Sequence, residues 1–280
     1  MNSVKTTLLL GILTCLLVVF GNMVGGHGGA LTALIFAGLM NFISYWFSDK
    51  IVLAMYNAQQ VDEHGAPKLF RIVKRLTEKN NMPMPKVYII PTDSSNAFAT
   101  GRSPSHASVA ATAGIVNSLT EDELEGVMAH ELAHVRNRDT LTSTIAATLA
   151  GAITWIASMA RWGAMFGGGR DDDRGNLAGA IVMAIVAPLA AMLLQMAISR
   201  SREYAADAAG AAMCGKPLSL ASALERLESS AKTFPLTGGN PATSSLFIVN
   251  PFRGGLVSLF STHPPMEKRI AKLRELARQR

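Results

Sequence analysis

The chain has 280 residues, enough for one large or two small domains, with 49% hydrophobic residues, a mean hydropathy of +0.25 and a formal charge of +6. So apolar a composition argues against an ordinary soluble enzyme. Two cysteines, Cys15 and Cys214, leave no disulfide framework and no thiolate zinc site, and both read as packing residues in a reducing compartment.

Residues 6–24 (TTLLLGILTCLLVVFGNMV) are uncharged and long enough to cross a hydrocarbon core of about 30 Å. Residues 30–48 repeat the pattern, with Tyr45 and Trp46 near one end, so residues 1–48 are expected to form a transmembrane hairpin. A cleaved signal peptide begins similarly, but no small-residue cleavage site follows and a second apolar run comes at once. Lys5 and Lys50 on the inside and the uncharged "GGHGG" turn on the outside set the orientation.

Residues 49–139 read as the first part of a cytoplasmic domain. In "APKLFRIVKRLTEKNN" the stripe of Leu69, Ile72, Val73 and Leu76 predicts an amphipathic helix with Pro67 near its start. "KVYII", "NAFAT" and "ASVAATA" predict three short strands separated by Pro, Gly and Ser turns, with a small antiparallel sheet the economical arrangement. Thr120 and Glu123 form a capping box at the head of a helix that should run through "MAHELAH" into the next apolar segment.

Residues 140–199 hold two further apolar runs, 140–160 and 177–199, expected to be a second hairpin in the membrane, the alternative being a buried hairpin of a soluble core. Arg161, Arg170 and Arg174 in the turn between them run against the positive-inside pattern, with three Asp residues among them. Residues 200–280 are the second cytoplasmic part, with helices expected around 218–231 and 264–279. The last 82 residues, 199–280, hold 12 Lys/Arg against 6 Asp/Glu. This fits a segment retained near anionic headgroups, and nucleic acid is not the expected partner.

His130 and His134 are spaced i, i+4, about 40° apart on one helix face, and Glu131 points about 60° from His134. That is the H-E-x-x-H arrangement: two neutral imidazoles for Zn²⁺ and a carboxylate that reaches the attacking water. A third ligand is still needed. From His134 to Gly163 a helix rises ~44 Å, and from Asn176 to Glu203 it falls ~41 Å, so the hairpin returns "SREYAAD" to the level of the histidines. Glu203 then completes a His₂Glu set and Asp207, one turn on, can accept a ring N–H from a ligand histidine. The bland alternative for Glu203 is an ion pair with Arg200 or Arg202. No G-x-S-x-G is present, and Cys15 lies in an apolar span, so neither serine nor cysteine nucleophiles have support.

The "HELAH" of 130–134, "REYAAD" of 202–207, "NAFATG" of 96–101 and "HPPMEKRI" of 263–270 stand in an order that resembles the HtpX-type membrane-integral zinc metalloproteases, related to the CAAX prenyl proteases. The resemblance covers nearly the whole chain. It implies a mainly α integral membrane protein in which two transmembrane helical hairpins carry a gluzincin-like zinc protease domain with its small sheet. It further implies an endopeptidase of a bacterial inner membrane, active on the cytoplasmic side in the quality control of membrane proteins, with self-cleavage in some members. Beside it, Asn96, Ala97, Phe98 and Ala99 gain a reading as an edge strand that binds an extended peptide, against a plain strand with Phe98 in a core. His263 gains one as an oxyanion donor, against a helix-cap histidine. The rivals are a zinc sensor or transporter, in which Glu131 has no task, and a membrane scaffold with incidental histidines.

Overall fold

The computed structural model describes residues 2–148, 200–233, 241–250 and 264–279. The predicted second hairpin, residue His263 and the 161–176 turn lie outside the described residues, apart from a helical start at 140–148.

Helix α1 (Asn2–Met55) is one helical run of 54 residues, but not a straight one. Gly26 sits at φ +57°, and Asn41 Nδ2 donates to Thr14 Oγ1 at 2.9 Å. A straight helix would hold those residues ~40 Å apart. The chain therefore doubles back near Gly26, which has no Cβ to oppose a left-handed backbone. The two arms form a helical hairpin, and among the described residues one arm, Gly26–Met55, is long and apolar enough to cross a membrane. On the second arm Leu31, Ile35, Leu39 and Phe42 form a stripe that is 61, 66, 55 and 57% exposed. A continuous apolar stripe left uncovered by protein is matched by hydrocarbon rather than water.

The sheet has four strands in the order β1–β2–β4–β3: β1 (Gln59–Val61), β2 (Lys86–Ile90), β3 (Ala97–Gly101) and β4 (Ala107–Thr112). It is mixed, not antiparallel as the strand order in sequence suggested, because β2 and β4 pair in parallel while β1–β2 and β3–β4 are antiparallel. The chain leaves β2, passes to the far edge to make β3, and returns through a tight turn to insert β4 in the middle. β1 escapes a period-2 reading because its three residues are Gln, Gln and Val with no buried member. Helix α2 (Pro67–Lys79) buries the predicted stripe of Leu69, Ile72, Val73 and Leu76 in the main core. Helix α3 (Ala113–Ser118) follows β4 directly.

Helix α4 (Glu121–Arg136) starts on the predicted capping box: Thr120 N donates to Glu123 Oε2 at 2.9 Å, and Glu123 N donates to Thr120 Oγ1 at 3.3 Å. Ser222 and Arg226 also donate to the Glu123 carboxylate, so the box clamps α4 to helix α6 (Pro217–Thr233). Burial alone would raise the Glu123 pKa, but these bonds hold it below the usual range. Thr120→Ala is expected to cost about 1 kcal/mol in chemical denaturation of the purified protein. The tail ends in helix α7 (Met266–Arg278), where expected.

Candidate metal centre

Helix α4 does not run on into the next apolar segment. It stops at Arg136, and Arg138 takes φ +58° before helical structure resumes at Thr140. The break has a chemical result: Asp139 is turned back onto the last turn, with its N–H on the His134 carbonyl at 3.0 Å and Oδ2 3.4 Å from His134 Nδ1.

Helix α5 (Arg200–Cys214) lies against α4 along the face that carries Glu203, Asp207 and Gly210, spaced i, i+4 and i+7. Gly210 makes the approach possible, since a Cβ there would meet the His130 backbone nitrogen at 2.8 Å. The helices thus touch backbone to backbone beside His130, and the two acids one and two turns back are carried to the histidines.

The outcome is a convergent donor set. His130, His134 and Glu203 each offer an atom within 4.8 Å of the others. The two Nε2 atoms are 3.2 Å apart; His134 Nε2 is 3.6 Å and His130 Nε2 3.9 Å from Glu203 oxygens. Donors about 2.0–2.1 Å from a tetrahedral Zn²⁺ lie roughly 3.3 Å from one another, so the imidazole spacing fits the ion and the carboxylate needs a shift of a few tenths of an ångström. The other ring nitrogens face carboxylates: His130 Nδ1 is 2.9 Å from Asp207 Oδ1, and His134 Nδ1 faces Asp139. A ring that gives its Nδ1 proton to a carboxylate presents the Nε2 lone pair to a metal.

Charge in the site is dense and buried. Burial pushes Glu131 up to about 7, with the nearby Glu203 carboxylate adding to the rise and His134 and Arg269 opposing it. Two carboxylates repelling each other in a dry site are what a divalent cation relieves. Burial lowers the His130 pKa, which favours the neutral ligand form. Burial alone would raise Asp207, but Arg269 and His130 bring it down to about 2.

Arg269, from α7, is wholly buried. It grips Asp207 with Nε and Nη2 at 2.8 and 2.7 Å, donates Nη1 to the Ile248 carbonyl at 3.1 Å, and lies 3.7 Å from Glu203. It lies inside "HPPMEKRI", where the family resemblance assigns it no role. Its signal was there: Met266, Arg269, Ile270 and Leu273 share one helical stripe, which sets a guanidinium among buried apolar positions.

Of the proposed strand residues, Ala99 lines the cleft with Glu131 and the three ligands, and its backbone N–H faces the Glu131 carboxylate. Phe98 points the other way, into a cluster with Tyr56 and Phe247. The Ala97 carbonyl accepts from Ile248 N at 3.2 Å, and Asn96 holds Val249 through both its side-chain atoms. β3 is an edge strand, as that reading required, but its first half is covered by residues 247–249. Asp139, Arg202 and Ser245 also line the cleft and went unassigned in the sequence; Asp139 and Ser245 carry no local pattern that marks them.

Residues 63–277 match the description "Peptidase family M48". A protease HtpX homolog of Desulforapulum autotrophicum is 57% identical over 98% of this chain and 89% of its own length. Homologs from Syntrophotalea carbinolica and Pyrococcus furiosus are 58% and 56% identical, over 99% and 98% of this chain and 99% and 96% of theirs. In fold, the chain resembles the crystal structure of S. mikatae Ste24p at a TM-score of 0.52 and 17% identity, covering 97% of this chain and 65% of that one. With an H-E-x-x-H helix, a glutamate delivered by a second helix, and relatives alike from end to end, the chain belongs to peptidase family M48 as an HtpX homolog and is a zinc metallopeptidase.

Proposed function

We propose that the protein is an endopeptidase of the cytoplasmic membrane that cleaves misfolded or damaged membrane proteins, with its active site on the cytoplasmic side. The observation that carries this reading is the junction of a lipid-facing helix with the site: α1 ends at Met55, and Tyr56 packs on Phe98, next to Ala99 in the cleft. A polypeptide drawn from the bilayer surface has a short path to the metal. In this reading residues 1–48 anchor the chain, 49–139 with 200–280 build the protease domain, and 140–199 are assigned to a second membrane hairpin from their apolar sequence alone.

His130, His134 and Glu203 would hold Zn²⁺, which when bound would supply a Lewis acid for the scissile carbonyl and lower the pKa of water towards neutrality. Glu131 takes the proton of the attacking water and passes it to the leaving amine. Its carboxylate is held by the Ala99 N–H on the strand that pairs with the substrate backbone, which puts base and peptide in one frame. Asp207 fixes the tautomer and tilt of His130. His263 donates to the developing oxyanion. No covalent acyl-enzyme is involved, because water is the nucleophile.

The test uses the full chain, purified in detergent with zinc and offered one membrane protein in folded and in heat-unfolded form. The unfolded form should be cut at internal peptide bonds, and a chelator should stop cleavage while zinc restores it. Equal cutting of both forms would remove the quality-control reading, and release of terminal residues alone would remove the endopeptidase reading.

A further inference from the structure

Besides Nδ1 of His130, which lies 2.9 Å from Asp207 Oδ1, two buried polar atoms in the cleft have no hydrogen-bond partner among the described residues: Arg202 Nη1 and Ser245 Oγ. Arg202 stands one residue before the ligand Glu203, its side chain 13% exposed, with Asp139 Oδ1 3.8 Å away, beyond hydrogen-bond reach. Ser245 is 8% exposed and lines the same cleft, in the turn Pro241–Leu246 that leads into the residues covering the first half of β3. A buried donor left unpaired costs about 1–3 kcal/mol, more for a charged group, so such atoms persist where a ligand completes them. Neither takes part in metal binding or proton transfer as derived above.

We propose that Arg202 is a substrate-binding residue, donating from its guanidinium to a backbone carbonyl of the bound peptide beside the scissile bond, with the Ser245 hydroxyl as the second contact. The chemistry of the cleft selects this acceptor. Glu131, Glu203 and Asp139 already line it, so an acidic side chain or a free terminal carboxylate would enter against three carboxylates. A peptide carbonyl brings a strong acceptor and no net charge. The edge of β3 points the same way: the Ala97 carbonyl is taken by Ile248 and the Gly101 carbonyl by the Thr140 hydroxyl, so Ala99 offers only a short stretch of strand pairing. A substrate backbone held at so few points needs further contacts away from β3, and Arg202 and Ser245 supply them. The inference rests on the protease reading.

The experiment measures steady-state cleavage of one quenched fluorescent peptide, prepared with a C-terminal amide and with a free carboxylate, by the zinc-loaded full chain. Cleavage of the amide by the parent establishes the protease reading independently of Arg202. Arg202→Gln should then lower kcat/KM by about 10–100-fold on both peptides, carried by KM, at parental zinc content and thermal midpoint. Ser245→Ala should raise KM by about 2–10-fold. Arg202→Lys, which keeps the charge but not the forked donor, should recover only part of the loss. An unchanged KM in Arg202→Gln overturns the proposal, as does full rescue by Lys, which would make Arg202 a charge balance for Asp139 and Glu203. Zinc loss in step with activity, or an effect confined to the free-carboxylate peptide, overturns it as well.

Discussion

Glu131→Gln is expected to keep zinc at one ion per chain and to lose about 10²–10⁴ in kcat. The amide has the size of the carboxylate and can still meet the Ala99 backbone, so helix α4 and both histidines should stay in place. What it lacks is a basic oxygen for the proton of water. Because Glu131 is 2% exposed and held beside Glu203, Gln also removes a charge repulsion, so the thermal midpoint should equal or exceed that of the parent. Metal analysis, calorimetry and turnover on the same preparation separate these effects. Turnover at the parental rate, still stopped by chelator, would show that another group takes the proton.

Arg269→Met should be the most damaging single change outside the ligands. Arg269 is the shared counter-charge of Asp207 and Glu203, and it ties α7 to the Ile248 carbonyl. Removing one partner of a buried pair leaves the others uncompensated, at about 3–5 kcal/mol. Methionine fills much of the volume, so the loss is electrostatic rather than a cavity. The freed Asp207 should then draw a proton and hold His130 less firmly, weakening zinc binding by about 10–100-fold. A competition titration with a zinc chelator, alongside thermal unfolding, reads both effects. A variant with parental stability and zinc affinity would mean that Asp207 is neutralised by some other group.

Helix α2 with its four-residue stripe, the capping box of Thr120 and Glu123, α6 and α7 were all readable from the sequence because each depends on neighbours within about one or two turns. The H-E-x-x-H ligands were readable for the same reason, since i, i+4 spacing alone puts His130 and His134 on one face. Glu203 took one step more, an estimate of how far a hairpin travels, together with the resemblance of "REYAAD" to a known family. The turn at Gly26 was readable from the uncharged, glycine-rich "GGHGG" between two apolar runs.

What the tertiary structure decided is long-range or sterically unusual. The parallel pairing of β2 with β4 depends on which edge the intervening strand takes, and strand periodicity is silent about that. Whether Phe98 faces substrate or core was open until Phe247 and Tyr56 closed around it. The stop of α4 at Arg136 rests on a left-handed Arg138, a conformation with no propensity signal in an arginine, and it alone brings Asp139 to His134. Arg269 reaches Asp207 across 62 positions of sequence, and the energy that makes such a burial tolerable lies in carboxylates contributed by another helix. Local spacing by itself determined the metal ligands of α4; the second helix, the buried counter-charge and the cleft around them required the packed chain, because buried charges are compensated through space and not along the sequence.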